Sequence, residues 1–234
     1  MNMKVGWNAG EVFNLFFNAN GGDLFKSGSA EPNVNSAAGI AALESIKALL
    51  EYTHPDHLSH ASNETQALWE AGKAALAIMW GSRGADVLDD EGSTADVTSN
   101  TLLSAAPTAN GGSTPASTLW WDGVTVAKNI SDSDAEATFA ALVGGLTSDL
   151  MKEHNDKAIW LIDGFKPGPA AAGVSETAAA GAKPYPMIPY INLMHNALGS
   201  ELVDFYKGNE SAADALADVE AAYVTAAKGA GYLN

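Results

Sequence analysis

The stretch Leu68–Gly84, LWEAGKAALAIMWGSRG, decides how the rest of the chain is read. A helix end carrying Trp69 breaks at Gly72, and Lys73 leads into the short apolar run Ala74–Met79. A run of that length bounded by turn residues predicts a buried parallel strand of an α/β fold. It stops at Trp80-Gly81-Ser82-Arg83-Gly84, which gathers an indole, a hydroxyl and a guanidinium at the carboxyl end of the predicted strand. Ligands of open α/β sheets bind at such ends. An indole offers a flat apolar face, and Ser and Arg supply the few directed polar contacts that orient a polar ligand. That combination suits a sugar or polyol.

Upstream, Glu11–Asn18 is apolar with helical character and ends at the turn Asn20-Gly21-Gly22. From Ala37 to Tyr52 the residues Ile40, Leu43, Ile46, Leu49 and Leu50 recur at three- and four-residue spacing, which predicts an amphipathic helix capped by Ser36. His54, His57 and His60 fan over a wide arc around Pro55 with no carboxylate or Cys partner, so the segment is read as a solvated connection and no metal is assigned. Asn63–Ala71 is read as the helix that delivers the chain into the central strand.

Downstream, the acidic run Asp89-Asp90-Glu91 reads as a solvated loop and Leu102–Ala106 as a further strand. Trp120-Trp121-Asp122-Gly123 then opens a predicted strand through Val124 and Val126, and Gly123 would let backbone approach a ligand. A helix over Asp134–Leu146, capped by Asp132 or Ser133, is expected to turn Phe139, Leu142 and Val143 inward. A second helix is expected over Asp149–Leu161. Trp69 and Trp160 are assigned to packing, while Trp7 receives no role. Ala170–Lys183 is expected to be helical in part. The prolines at 184, 186 and 189 mark an extended connector. Helices are predicted over Ile191–Tyr206 and Ala212–Ala227.

Composition narrows the function. Against 12 Lys and Arg stand 28 Asp and Glu, a formal charge of -16. Such a surface repels phosphate backbones and anionic lipid, which argues against nucleic-acid partners and membrane docking. The chain has no cysteine, so disulfides, thiolate nucleophiles and Cys-ligated zinc are excluded. The amino-terminal MNMKVGWNAGEVFNLFF has neither a continuous apolar core nor an A-x-A site and is not read as a signal peptide. No apolar run is long enough to span a bilayer.

Five stretches together resemble a known family: FFNANGGDLF, NSAAGIAALESIKALLEY, LWEAGKAALAIMWGSR, WDGVTVAKNISDSDAEATFAAL and KGNESAADALADVEAAYVTAA. In this order they resemble the sugar-type extracellular solute-binding proteins of ABC importers, the group that includes maltose-binding protein. The resemblance implies an α/β fold of the periplasmic-binding-protein type (type II), two lobes closing on a ligand, and a periplasmic or extracellular location. It also implies that most of the first lobe has no counterpart before Met1. On that basis 1–118 corresponds to the second lobe with its central strand 74–79, 119–162 to the crossing segments of the first lobe, and 163–234 to the connector and closing helices.

Carried onto this sequence, the resemblance places Glu11 at a cleft-lining position that is usually aromatic. It matches Trp80, Gly81, Ser82 and Arg83 to a loop that presents a sugar-stacking indole, and Trp120, Trp121, Asp122 and Gly123 to the interlobe crossing. His195 matches a Trp of the maltose-binding branch, which argues for a monosaccharide, disaccharide or polyol over a long maltodextrin. The expected chemistry is stacking on Trp80 and Trp121, with Glu11, Asp122 and Arg83 hydrogen-bonding hydroxyls. Neither a catalytic residue nor a cofactor is implied. The expected partners are a small carbohydrate and the transmembrane subunits of an ABC permease, with self-association as a further expectation where a lobe is missing. Two other readings share these residues: a sensory or interaction module of the same fold, and a glycosidase using Glu11 and Asp122.

Overall fold

The computed structural model describes residues Met1–Asn234. Its core is built by four helices: α1 (Trp7–Ala19), α2 (Ala37–Leu50), α9 (Ile191–Glu201) and α11 (Ala212–Gly229). Between α2 and α9 the chain forms α3 (Ser62–Glu70), α4 (Gly84–Leu88), α5 (Ala95–Asn100), β1 (Thr118–Leu119), α6 (Asp132–Gly145), α7 (Ser148–Glu153), α8 (Ala172–Ala179) and β2 (Lys183–Pro184). The short α10 (Val203–Tyr206) separates α9 from α11.

α1 is apolar on nearly every side and lies at the centre, burying Val12, Phe13, Phe16 and Phe17. Against it pack Ala42, Leu43 and Ile46 of α2 and Met194 and Leu198 of α9, while Leu216, Val219 and Tyr223 of α11 close the core against α9 and α2. Two phenols tie this core to backbone: Tyr206 donates to Ala9 O at 3.1 Å and Tyr223 to Ala30 O at 2.7 Å. α1 ends where Gly21 adopts φ 78° and the Gly22 amide returns to Phe17 O at 2.8 Å, the left-handed stop that glycine permits at low steric cost.

α2 begins as the sequence predicts, with Ser36 Oγ accepting from the Gly39 amide at 3.3 Å. A Cβ at Gly39 would lie 2.0 Å from Val34 O. Gly39→Ala is therefore expected to destabilise by about 1–3 kcal/mol despite the better helix propensity of Ala, because backbone must shift to admit the methyl. Chemical denaturation checks this; an unchanged or higher midpoint contradicts it.

The only strand pairing is short. β1 and β2 run parallel with Thr118 opposite Lys183 and Leu119 opposite Pro184, and the Tyr185 amide donates to Leu119 O at 3.0 Å. This ladder holds the 118–120 segment beside α1 and positions the site described below.

Five sequence expectations are corrected here. Ala74–Met79 is not a strand: its amides donate to no other backbone group, and Leu76 is 92% exposed. Leu102–Ala106 is also unpaired as a strand; side chains of α8 serve its amides, with Glu176 accepting from Ala105 N at 3.0 Å and Thr177 from Ala106 N at 2.9 Å. The segment after Trp121 makes no ladder, and α6, capped by Ser131, buries no residue, leaving Phe139 and Val143 exposed. In none of the three expected strands does a second strand lie alongside to pair with the apolar run. The expected helix over Asp149–Leu161 stops at Glu153, and the Trp160 indole donates to His154 O at 2.9 Å.

Candidate functional site

Trp7 and Glu11 stand one helical turn apart on α1 and share a face. β1 lies against that face. Thr118 Oγ1 donates to Glu11 Oε1, and the Trp120 indole N–H is shared between Thr118 Oγ1 at 2.8 Å and Glu11 Oε1 at 3.2 Å. The carboxyl thereby fixes an indole that arrives from 109 residues away in sequence.

Three indoles converge above this anchor. Ring centroids lie 5.8 Å apart for Trp7 and Trp80, 5.4 Å for Trp7 and Trp120, and 5.9 Å for Trp80 and Trp120, the last pair edge to face. Trp7 and Trp120 keep 42% and 36% of their surface exposed. Each is backed on one face by a second ring: His195 stacks on Trp7 at 4.4 Å and Tyr185 on Trp120 at 3.8 Å.

The backing rings are themselves joined. His195 Nε2 lies 2.8 Å from Trp7 O, which can only accept, so Nε2 carries the hydrogen. Nδ1 then accepts from the Tyr185 hydroxyl at 2.7 Å. Burial lowers the His195 pKa, against the opposing effect of the Trp7 carbonyl, and the imidazole is neutral at pH 7. Burial, reinforced by the Glu11 charge, pushes the Tyr185 phenol up. The two rings thus form a rigid uncharged support under the indoles.

Glu11 is 4% exposed. Burial raises its pKa to about 7, although the hydrogen bonds from Thr118 and Trp120 and the neighbouring Asn14 amide pull the other way. At neutral pH the carboxyl is therefore divided between its two protonation states.

The structure brings together Glu11, Trp80, Trp120 and His195 of the residues singled out from sequence. It does not bring Arg83 to them: its guanidinium donates to Gln66 Oε1 at 2.7 Å and Asn63 Oδ1 at 2.8 Å on α3. Gly81 faces Val174, whose Cγ2 would meet a Cβ there at 1.8 Å, and Ser82 is exposed. Trp121 is 55% exposed with its ring over Gly123, and Asp122 beside them is exposed. Sequence reasoning missed Trp7, Thr118 and Tyr185. Only Trp7 carried a local signal, its four-residue offset from Glu11.

Elsewhere, the His54 and His60 rings pack at 4.7 Å, and no group of three or more His, Asp or Glu side chains is placed to hold a metal ion. A groove between the Lys26–Pro32 turn and the end of α11 carries the paired Lys26 and Glu31, together with Glu220 and Lys228, and no indole. No helix is long and apolar enough to cross a membrane.

The chain, rich in helix with one short parallel ladder, has the type II periplasmic-binding-protein fold. It is similar to an ABC-transporter solute-binding protein from Agrobacterium radiobacter K84 solved with ribitol, with TM-score 0.78 and 20% identity over 94% of this chain and 57% of that one. It is likewise similar to maltose-bound MalE3 of T. maritima, with TM-score 0.71 and 17% identity over 92% and 56% of the two chains. A third similar structure is the maltose/maltodextrin-binding domain of MalE from Bdellovibrio bacteriovorus bound to maltotriose, with TM-score 0.75 and 14% identity over 97% and 60%. The chain belongs to the bacterial extracellular solute-binding protein family, whose model matches residues 2–148. No curated protein matches the sequence. The chain spans less than two thirds of the length of each of these solved structures.

Proposed function

We propose that this chain carries one wall of a carbohydrate site and acts as the solute-capturing component of an ABC importer, taking a polyol, a monosaccharide or a disaccharide. The observation that carries the reading is the group of three indoles, Trp7, Trp80 and Trp120, held over a buried carboxyl and backed by His195 and Tyr185. Indole faces match the C–H faces of sugars, and rigid backing lowers the ordering cost of binding. Membership of an extracellular solute-binding family and the ribitol and maltose ligands of similar proteins support the same class of solute. The role of His195 as a buried support leaves a short platform, which favours a small ligand over a maltodextrin.

Glu11 serves as an anchor within this reading. A glycosidase would need it beside a scissile bond with a second carboxyl across from it; here it is buried under Trp120, while Asp122 is exposed on the crossing segment. The reading also includes self-association of this chain through the exposed apolar face of α6, since a patch of that kind favours a protein contact.

Tryptophan fluorescence of the 234-residue chain, titrated with ribitol, maltose and maltotriose, tests the carbohydrate reading. Saturable quenching or enhancement by ribitol or maltose is expected, with maltotriose binding no tighter than maltose. Trp120→Ala is expected to weaken binding about tenfold, the equivalent of roughly 1.4 kcal/mol. An unresponsive spectrum with all three solutes sinks the reading.

A further inference from the structure

The carboxyl of Glu11 has a second oxygen that the anchor does not use. Oε2 is buried with no hydrogen-bond partner, and so is Nδ2 of Asn14, three residues further along α1. Glu11 and Asn14 are 4% and 2% exposed. A carboxyl and an amide at this spacing share a helix face. A primary amide offers both a donor and an acceptor, so it can serve either protonation state of its neighbour. When Glu11 is ionised, the Asn14 amide nitrogen can donate to Oε2; when Oε2 carries a proton, the rotated amide can accept it.

We propose that Glu11 is a positioning residue whose proton is coupled to solute capture: through Thr118 and Trp120 it sets the orientation of the Trp120 indole, and a solute lying on that indole draws a proton onto Oε2. The solute-coupled half rests on the carbohydrate reading above. Oε1 holds Thr118 and the Trp120 N–H in both states, and more strongly when charged. A solute on Trp120 displaces solvent from the exposed part of that indole, and the less polar surroundings above the carboxyl favour its neutral form. Binding therefore takes up a proton near neutral pH, and affinity rises as pH falls. The titratable side chains on the facing elements are Tyr185, stacked on Trp120, and His195 of α9 behind it. Glu11 is displaced by burial and hydrogen bonds alone, without the charge of any lysine, arginine or second carboxylate.

Proton–nitrogen NMR spectra of the uniformly labelled chain across the range from acid to alkaline pH test the positioning role without any ligand. The Trp120 indole N–H resonance, assigned by its loss in Trp120→Phe, is expected to titrate with a midpoint near that of Glu11, about 7, and to be flat in Glu11→Gln. Thr118→Val, which removes a bond that favours the ionised form, is expected to move the midpoint upward, while Thr118→Ser restores it. An indole resonance that does not titrate in the unaltered chain overturns the proposal. Fluorescence titration with ribitol and maltose on either side of that midpoint tests the coupling: binding is expected to be several-fold tighter on the acid side, and pH-independent in Glu11→Gln. Equal affinity on both sides, or tighter binding on the alkaline side, overturns the coupling. Failure of both solutes to bind at any pH refutes the carbohydrate reading and the coupling that rests on it, while the indole titration still decides the positioning role.

Discussion

Replacing Glu11 with Gln is expected to stabilise the protein by about 2–3 kcal/mol on the alkaline side of neutrality and to change its stability little in acid. The carboxyl of the unfolded chain titrates at its ordinary value of 4.5, and burial raises the folded value to about 7. Below the unfolded value both states are protonated and the group contributes no pH dependence. Between the two values the folded protein keeps a proton that the unfolded chain releases, so stability falls as pH rises. Above the folded value both states are ionised and the loss is complete. Each pKa unit corresponds to about 1.4 kcal/mol, which puts the upper limit for this interval between about 3 and 4 kcal/mol. Gln keeps an oxygen to accept from Thr118 and Trp120 while removing the buried charge. Urea unfolding of both proteins at several pH values isolates the difference, because repulsion from the net charge of -16 acts on both chains. Parallel stability curves would contradict this expectation.

That effect rests on a contact the sequence could not display. Glu11 is singled out through the family resemblance, but Thr118 lies 107 positions away and carries no local mark of its contact with it. The same holds for Tyr185, which reaches Trp120 only because β2 pairs with β1. Local signals did better. Ser36 caps α2 as its side chain chemistry predicts, and the apolar spacing of Leu43 and Ile46 places α2 against α1. The helices predicted over Ile191–Tyr206 and Ala212–Ala227 are likewise present, differing only by the break at Leu202 and a slightly later end. Arg83 shows why proximity in sequence misleads. It follows Trp80 by three residues, yet the tight turn between them sends its guanidinium to α3 while the indole turns toward Trp7. Ala74–Met79 failed for a different reason: a strand is a property of a pair, and no second strand lies beside it here.

Two phenylalanines provide the sharpest contrast in stability. Phe13→Ala is expected to cost about 3–5 kcal/mol, whereas Phe139→Ser is expected to change stability by less than about 0.5 kcal/mol. Phe13 is fully buried in α1 and stacks on Phe17 at 5.1 Å. Truncation leaves a cavity among side chains of several helices that cannot all collapse into it. Phe139 has the same side chain on an equally helical segment, but it is 63% exposed, and Val143 and Leu146 continue the same stripe at 57% and 49% exposure. Its removal deletes little packing within the chain, so denaturation should barely register it. Light scattering should register it instead. If α6 is the face through which copies associate, the unaltered chain forms a species heavier than one chain at high concentration, and Phe139→Ser shifts it toward the monomer with no loss of fold. A monomeric unaltered chain contradicts self-association. A Phe139→Ser that is costly at concentrations where the chain is monomeric contradicts the exposed placement of α6, because there only a helix packed within its own chain loses stability when its apolar stripe is made polar.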